Sequence, residues 1–182
     1  SMTKPAHINE QARSTVIVES GASILGTANA VAGDDTDGLT VTNSGTIRAN
    51  NSKGINLLDS INATITNNSD GTIRAKTNTI SVSKSGTTPD NINITNSGTI
   101  YSTNASTNTI LLHSNSTNST VTNNAGGHIY NESTAATITI GKTTTLTNSG
   151  KIENKKIDKV AITVDGADST ILLKDSGIII GK

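Results

Sequence analysis

Cysteine, tryptophan and phenylalanine are absent from this chain, and tyrosine occurs only twice. Without cysteine there are no disulfides, no thiolate metal sites and no thiol catalysis. The same absence suits a chain that must cross a membrane unfolded. Scarcity of aromatics is a stronger constraint, because compact cores draw much of their buried area from Phe, Tyr and Trp. A hydrophobic fraction of 32% lies well below the usual 45–50% or so. Such a chain must bury apolar surface in some thinner arrangement or remain unfolded. No apolar run approaches the roughly 18 residues of a membrane-spanning helix, and no secretion signal is recognisable. Charge of one sign is also missing, with Lys+Arg and Asp+Glu at 14 each. That balance, and the lack of clustered Lys/Arg interleaved with aromatics, gives no reason to expect nucleic acid as a partner.

Disorder is the first alternative for a composition this polar, but disordered chains usually carry high net charge and few β-branched residues. Here Ile, Val and Thr are abundant and regularly spaced. The block LTVTNSGTI from Leu39 returns as ATITNNSDGTI from Ala63, INITNSGTI from Ile92, STVTNNAGGHI from Ser119 and TTLTNSGKI from Thr144. Degraded copies begin at Val16 and Ile171. Taking Ile17, Val41, Ile65, Ile94, Val121, Leu146 and Leu172 as the central apolar positions gives spacings of 24, 24, 29, 27, 25 and 26. A period in this range marks stacked repeats.

Each repeat holds three strand-like pieces. The T-V-T-N piece alternates polar and apolar. A second follows Ser-Gly, as in Gly45-Thr46-Ile47-Arg48. The third is apolar at alternate places: Ile55/Leu57, Ile80/Val82, Ile110/Leu112, Ile138/Ile140 and Ile162/Val164. Period-2 alternation means strands with one buried face. Repeats this short, β-branched and punctuated by Gly leave no room for a helix. The pattern predicts an all-β, single-domain right-handed parallel β-helix of about seven coils of 23–29 residues, three short strands per coil. Coils stacked about 4.8 Å apart would give a rod of roughly 35 Å. The solenoid is expected over residues 14–182. Residues 1–13 are read as a tag remnant (Ser1-Met2) and an N-terminal cap or leader, with Pro5–Ser14 mildly helical. The insertion Ser83–Asn91 should protrude as a loop.

Asn43, Asn67, Asn96, Asn123 and Asn148 occupy one position in five successive repeats. Alternation from Val41 points them inward at a corner, where an amide can bond the coils above and below. They are read as a structural ladder. Sequons at Asn62, Asn93, Asn104 and Asn131 are expected from an Asn/Ser/Thr-rich composition and carry little weight.

Blocks such as Asn43–Ile47, Asn96–Ile100 and Asn148–Ile152 resemble the loosely repeated N-S-G-x-I units in passenger domains of bacterial autotransporters (type V secretion). The resemblance covers residues 14–182. It implies a fragment of a longer passenger, secreted or displayed on the bacterial outer-membrane surface, with a C-terminal translocating barrel not encoded in these residues. It also implies a virulence role without catalysis: host-cell adhesion or receptor binding to a host surface protein or glycan, or a soluble passenger fragment that activates a host receptor.

Some parallel β-helices are carbohydrate-active enzymes, which need grouped carboxylates or basic residues beside calcium-binding Asp. The carboxylates Glu19, Asp59, Asp70, Asp90, Glu132 and Glu153 are scattered, and His7, His113 and His128 lie far apart in repeat register, so no catalytic residues and no cofactor are assigned. Asp34, Asp35 and Asp37 form the one acidic cluster, a weak calcium candidate read mainly as a solvated turn. T-x-T pairs such as Thr40/Thr42 resemble the arrays of insect antifreeze proteins, but the variable coil length argues against ice binding. One outward stripe departs from the Thr/Ser/Asn background. The residue after the second-strand Ile is Arg48, Arg74, Tyr101, Tyr130 and Glu153 in turn, and the residue before it becomes His128 and Lys151 in the last two of these repeats. Tyr and Arg are enriched in binding hot spots. Arg48, Arg74, Tyr101, His128, Tyr130 and Lys151 are therefore the candidate ligand-binding residues. The apolar C-terminal Ile178-Ile179-Ile180 leaves end-to-end self-association open.

Overall fold

The structure, a computed structural model, describes residues 13–181 and a short strand at 6–9. Among these residues there are strands and turns and no helix. The first sheet stacks β2 (Thr15–Val18), β5 (Thr40–Asn43), β8 (Thr64–Asn67), β11 (Asn93–Asn96), β14 (Thr120–Asn123), β17 (Thr145–Asn148) and β20 (Thr170–Leu173). The second stacks β3 (Ser23–Gly26), β6 (Thr46–Ala49), β9 (Thr72–Ala75), β12 (Thr99–Ser102), β15 (His128–Asn131), β18 (Lys151–Asn154) and β21 (Ile178–Ile180). The third stacks β1 (Ala6–Asn9), β4 (Val31–Asp34), β7 (Ile55–Leu58), β10 (Ile80–Ser83), β13 (Ile110–Leu112), β16 (Ile138–Ile140) and β19 (Ile162–Val164). All pairings are parallel, each strand bonding the equivalent strand one coil away. The chain is a parallel β-solenoid of three sheets.

The core is a set of aliphatic columns with no aromatic in it. Val41, Ile65, Ile94, Val121 and Leu146 are fully buried from the first sheet, and Ile47, Ile73, Ile100, Ile129 and Ile152 from the second. The third sheet adds Ile55/Leu57, Ile80/Val82, Ile110/Leu112 and Ile138/Ile140. Each side chain of this size contributes about 1.5–3 kcal/mol on burial. Val164 and Ile171, on the last strands of the third and first sheets, stand 48% and 42% exposed despite facing the core side.

The end repeats sit one residue away from the register read from sequence. Val16 pairs with Val41, and Ile171 with Leu146. Ile17 therefore points outward, 67% exposed, and Leu172 aligns with the outward Thr147. Both copies carry three consecutive apolar residues, so alternation does not fix their register. The corner length misleads as well, since Glu19–Ala22 makes a four-residue turn where Ser44-Gly45 makes two. Part of the stretch expected to be mildly helical forms β1, which pairs with β4; residues 1–5 and 10–12, including the tag remnant, lie outside the described residues. The insertion also protrudes less than expected. Ser85–Thr88 are exposed, but the buried Asp59 carboxylate accepts the Ser85 and Gly86 N–H groups at 2.7 and 3.0 Å, and Pro89 is buried. Asp90 rejoins the stack through bridges to Ile61 and Thr117.

At the corner between first and second sheets, Asn43, Asn67, Asn96, Asn123 and Asn148 are wholly buried. The Nδ2 of each of the first four donates to the Oδ1 of the next coil at 2.7–2.8 Å. Within its own coil the same Nδ2 donates to a glycine carbonyl, as Asn96 does to Gly98 at 3.0 Å, which fixes the amide's orientation. Glycine is required there: a Cβ on Gly98 would stand 2.3 Å from the Gly71 carbonyl oxygen of the coil before. The ladder ends on the Ile178 carbonyl, accepting from Asn148 at 3.1 Å. At its head, Val18 occupies the Asn position and leaves the buried Asn43 Oδ1 without a partner.

The corner leading back to the first sheet repeats a left-handed residue: Gly38, Asn62, Asn91, Asn118, Thr143 and Asp168 all have positive φ. Gly, Asn and Asp tolerate this region; β-branched Thr143, at φ 44°, is strained. Its Oγ1 accepts the Asn118 N–H at 2.8 Å, a bond that backbone carbonyls supply in the coils above.

Breaking the buried amide row with Asn96→Ala should cost about 2–4 kcal/mol, because it orphans a donor on Asn67 and an acceptor on Asn123. Val18→Asn supplies the missing donor to Asn43, and its melting temperature should match or exceed wild type. Equal destabilisation by both changes would show that the ladder has no directional bonding role. Thr143→Asn should raise stability by about 1 kcal/mol through relief of strain, and Thr143→Gly by less, since glycine removes the acceptor for Asn118. Denaturant titration separates the two.

Candidate functional site

Because side chains alternate across a strand, the residues flanking each inward Ile of the second sheet must point outward. Two outer columns result. One runs Arg48, Arg74, Tyr101, Tyr130 and Glu153; the other runs Thr46, Thr72, Thr99, His128 and Lys151. All six candidate ligand-binding residues thus share one face, each partly buried, in adjacent coils.

The first column is a continuous aromatic and cationic stack. Arg74 Nη1 donates to Tyr101 Oη at 3.2 Å. The Tyr101 and Tyr130 rings lie parallel, centroids 4.9 Å apart with a 4° interplanar angle. That separation matches the coil spacing of about 4.8 Å, so the backbone ladder holds the rings at stacking distance. The His128 ring packs tilted against Tyr130 at 4.7 Å, and Lys155 Nζ sits 3.6 Å from the Tyr130 ring centroid. A cation over a tyrosine face is an attractive arrangement. Lys155 lies in the variable turn after β18, outside the repeat, so spacing gave no sign of it.

Glu153 closes the row. It is expected from sequence as one of several scattered carboxylates, yet it is only 6% exposed. Its Oε2 lies 2.7 Å from Lys151 Nζ and 3.4 Å from His128 Nε2. The Lys151 hydrogen bond, set against burial, holds its carboxyl below the usual value. Burial, and then the neighbouring Lys151 charge, push His128 below the ordinary imidazole value. Burial and the adjacent Tyr101 raise the Tyr130 phenol. Arg48 and Arg74 take part in no ion pair among the described residues.

The backbone beneath the stripe is pinned from the opposite side. Thr79, Thr109 and Thr137, fully buried at the entry to the third sheet, donate Oγ1–H to the carbonyls of Tyr101, Tyr130 and Glu153 at 2.6, 2.7 and 2.9 Å. A second buried amide pair, Asn131 and Asn154, secures the following corner by donating to the Ala136 and Val160 carbonyls. Neither set is apparent from the repeat motif: each occurs in only two or three coils. Asn131 is thereby inside the rod and unavailable as a glycan acceptor.

The remaining candidates separate. Asp34, Asp35 and Asp37 do not converge: Asp35 takes a left-handed turn conformation and Asp37 Oδ1 accepts from Asn62 Nδ2 at 2.9 Å. Among the described residues no group of three His, Cys, Asp or Glu is placed to hold a metal ion. The five ladder asparagines lie inside the rod and present nothing to a ligand. No family model, no curated protein and no solved structure matches the chain.

Acid should loosen this end of the stripe in two steps. His128 binds its proton more weakly folded than unfolded, so stability falls as pH drops below about 6.5 and through its folded value. Glu153, depressed when folded, contributes stability above its unfolded value that is lost as pH falls through the lower folded one. Melting curves from pH of about 7.5 down to about 2.5 should show both phases, and His128→Gln should remove the upper one only. An unchanged profile in that variant would mean that His128 is not coupled to folding.

Proposed function

We propose that this chain is a non-catalytic recognition rod of a secreted or surface-exposed bacterial protein, which binds a host-cell surface component along its second sheet. The observation that carries the reading is the outer stripe. Both tyrosines of the protein, with Arg48, Arg74, His128 and Lys151, converge on one sheet whose other outward residues from β6 to β15 are Thr46, Thr72 and Thr99. Tyr and Arg are side-chain types that carry binding energy. They are held rigidly by the ladder below them, so little side-chain entropy remains to be lost on association. The N-S-G-x-I resemblance to autotransporter passengers supplies the bacterial surface setting, and the absence of cysteine suits export of the chain unfolded.

The test is binding of fluorescently labelled protein to epithelial cells. Arg74→Ala together with Tyr101→Ala should weaken binding about ten-fold or more while leaving the melting curve in place. Undiminished binding by the double variant, where wild type clearly binds, would rule this face out.

A further inference from the structure

The overall charge balance conceals a segregated surface. On the second sheet and the turn that follows it lie Arg48, Lys53, Arg74, Lys76, Lys151, Lys155, Lys156 and Lys159, against Glu132, Glu153 and Asp158. Two of those carboxylates are already engaged, Glu153 with Lys151 and Glu132 with Lys155 at 3.5 Å. The corner between third and first sheets has the opposite character: Asp34, Asp35, Asp37, Asp59, Asp90, Asp165 and Asp168, with Arg13, Lys84 and Lys142. The rod is thus positive along one flank and negative along another.

We propose that the ligand of the stripe is a linear sulfated polysaccharide lying along the rod axis. This rests on the function proposed above and specifies its ligand class. Three observations favour it. First, Arg48 and Arg74 are direct cross-strand partners and neither forms an ion pair among the described residues, so two cationic side chains leave neighbouring strands at the coil spacing of about 4.8 Å. Guanidinium is the group best matched to sulfate and carboxylate oxygens. Arg48 Nε is also buried without a hydrogen-bond partner.

Second, the Tyr130 ring and one face of Tyr101 are occupied. Tyr101 covers one face of Tyr130, while His128 and Lys155 pack against the same ring. Single-stranded nucleic acid binds by stacking bases on free aromatic faces, and the stripe offers few. Third, the second-sheet strands from β6 to β18 are paired on both sides, and the outward residues between Arg48 and Lys151 include no aliphatic side chain. A peptide adding as a strand needs an open edge, and one docking by side chains needs apolar pockets. A ligand bringing its own regularly spaced anions needs neither.

The experiment uses the whole chain and size-defined heparin oligosaccharides, beside desulfated heparin, poly-L-glutamate and oligodeoxythymidylate, by calorimetry at about 0.05–0.3 M salt. Heparin should bind in preference to the other three, with affinity falling steeply as salt rises. Arg48→Gln with Arg74→Gln should weaken it about ten-fold or more, and Lys84→Gln with Lys142→Gln should leave it within two-fold. The proposal is overturned if heparin fails to bind at about 0.15 M salt, or if the two double variants lose affinity equally. It is overturned too if poly-L-glutamate or oligodeoxythymidylate binds as tightly as heparin. Cell binding that survives glycosaminoglycan-degrading enzymes yet still depends on Arg74 and Tyr101 would reject the ligand class and keep the recognition surface. Cell binding indifferent to those residues would reject both.

Discussion

A solenoid with so thin a core must satisfy the backbone at every corner without water, and the buried amide row of Asn43 to Asn148 does this at the tightest corner. A buried unpaired polar group costs about 1–3 kcal/mol, repeated once per coil, so a corner left unsatisfied would defeat the modest aliphatic burial around it. Asparagine has the right length and the right chemistry: one amide donates to its own turn and to the coil ahead, and accepts from the coil behind. Close stacking there leaves no space for a Cβ at Gly98, and the N-S-G motif follows from these two demands together. The head and the foot of the row, at Val18 and Leu173, are where the repeat decays in sequence.

The same stacking that solves the corner problem writes a lattice on the outside. Outward side chains recur at the coil spacing whether or not they interact, and neighbours of compatible shape stack. Tyr101 and Tyr130 meet as parallel rings because their backbones are ladder partners. Thr79, Thr109 and Thr137 tie the carbonyls under the stripe to the third sheet, so the outer stripe is anchored through the core. In the function proposed for it, affinity would come from repetition of one modest contact along a rigid axis, which suits a polymeric ligand better than a small molecule needing an enclosing pocket.

Charge is organised across the width of the rod. A net charge of zero excludes strong long-range steering by the molecule as a whole, yet flanks of opposite sign set the orientation in which a charged partner approaches. His128 and Glu153 sit at the basic flank, and both couple its structure to acidity.

The sequence by itself determined the solenoid, its three strands per coil, the aliphatic columns and the inward asparagines, because these depend on a period and an alternation that each coil repeats. It also placed Arg48, Arg74, Tyr101, His128, Tyr130 and Lys151 on one face, since the face follows from parity around an inward isoleucine. Register at the ends was decided only in three dimensions: Val16-Ile17-Val18 and Ile171-Leu172-Leu173 have no alternation, and corner length chose between their two possible settings. Features occurring once or in few coils were likewise settled by tertiary structure. Lys155 over Tyr130, the burial of Glu153, the anchoring of Ser85 and Gly86 by Asp59, and the Asn131–Asn154 corner join residues from different coils through turns of unequal length. Periodicity carries no information about such contacts, because they depend on how far each turn reaches and not on where the repeat recurs.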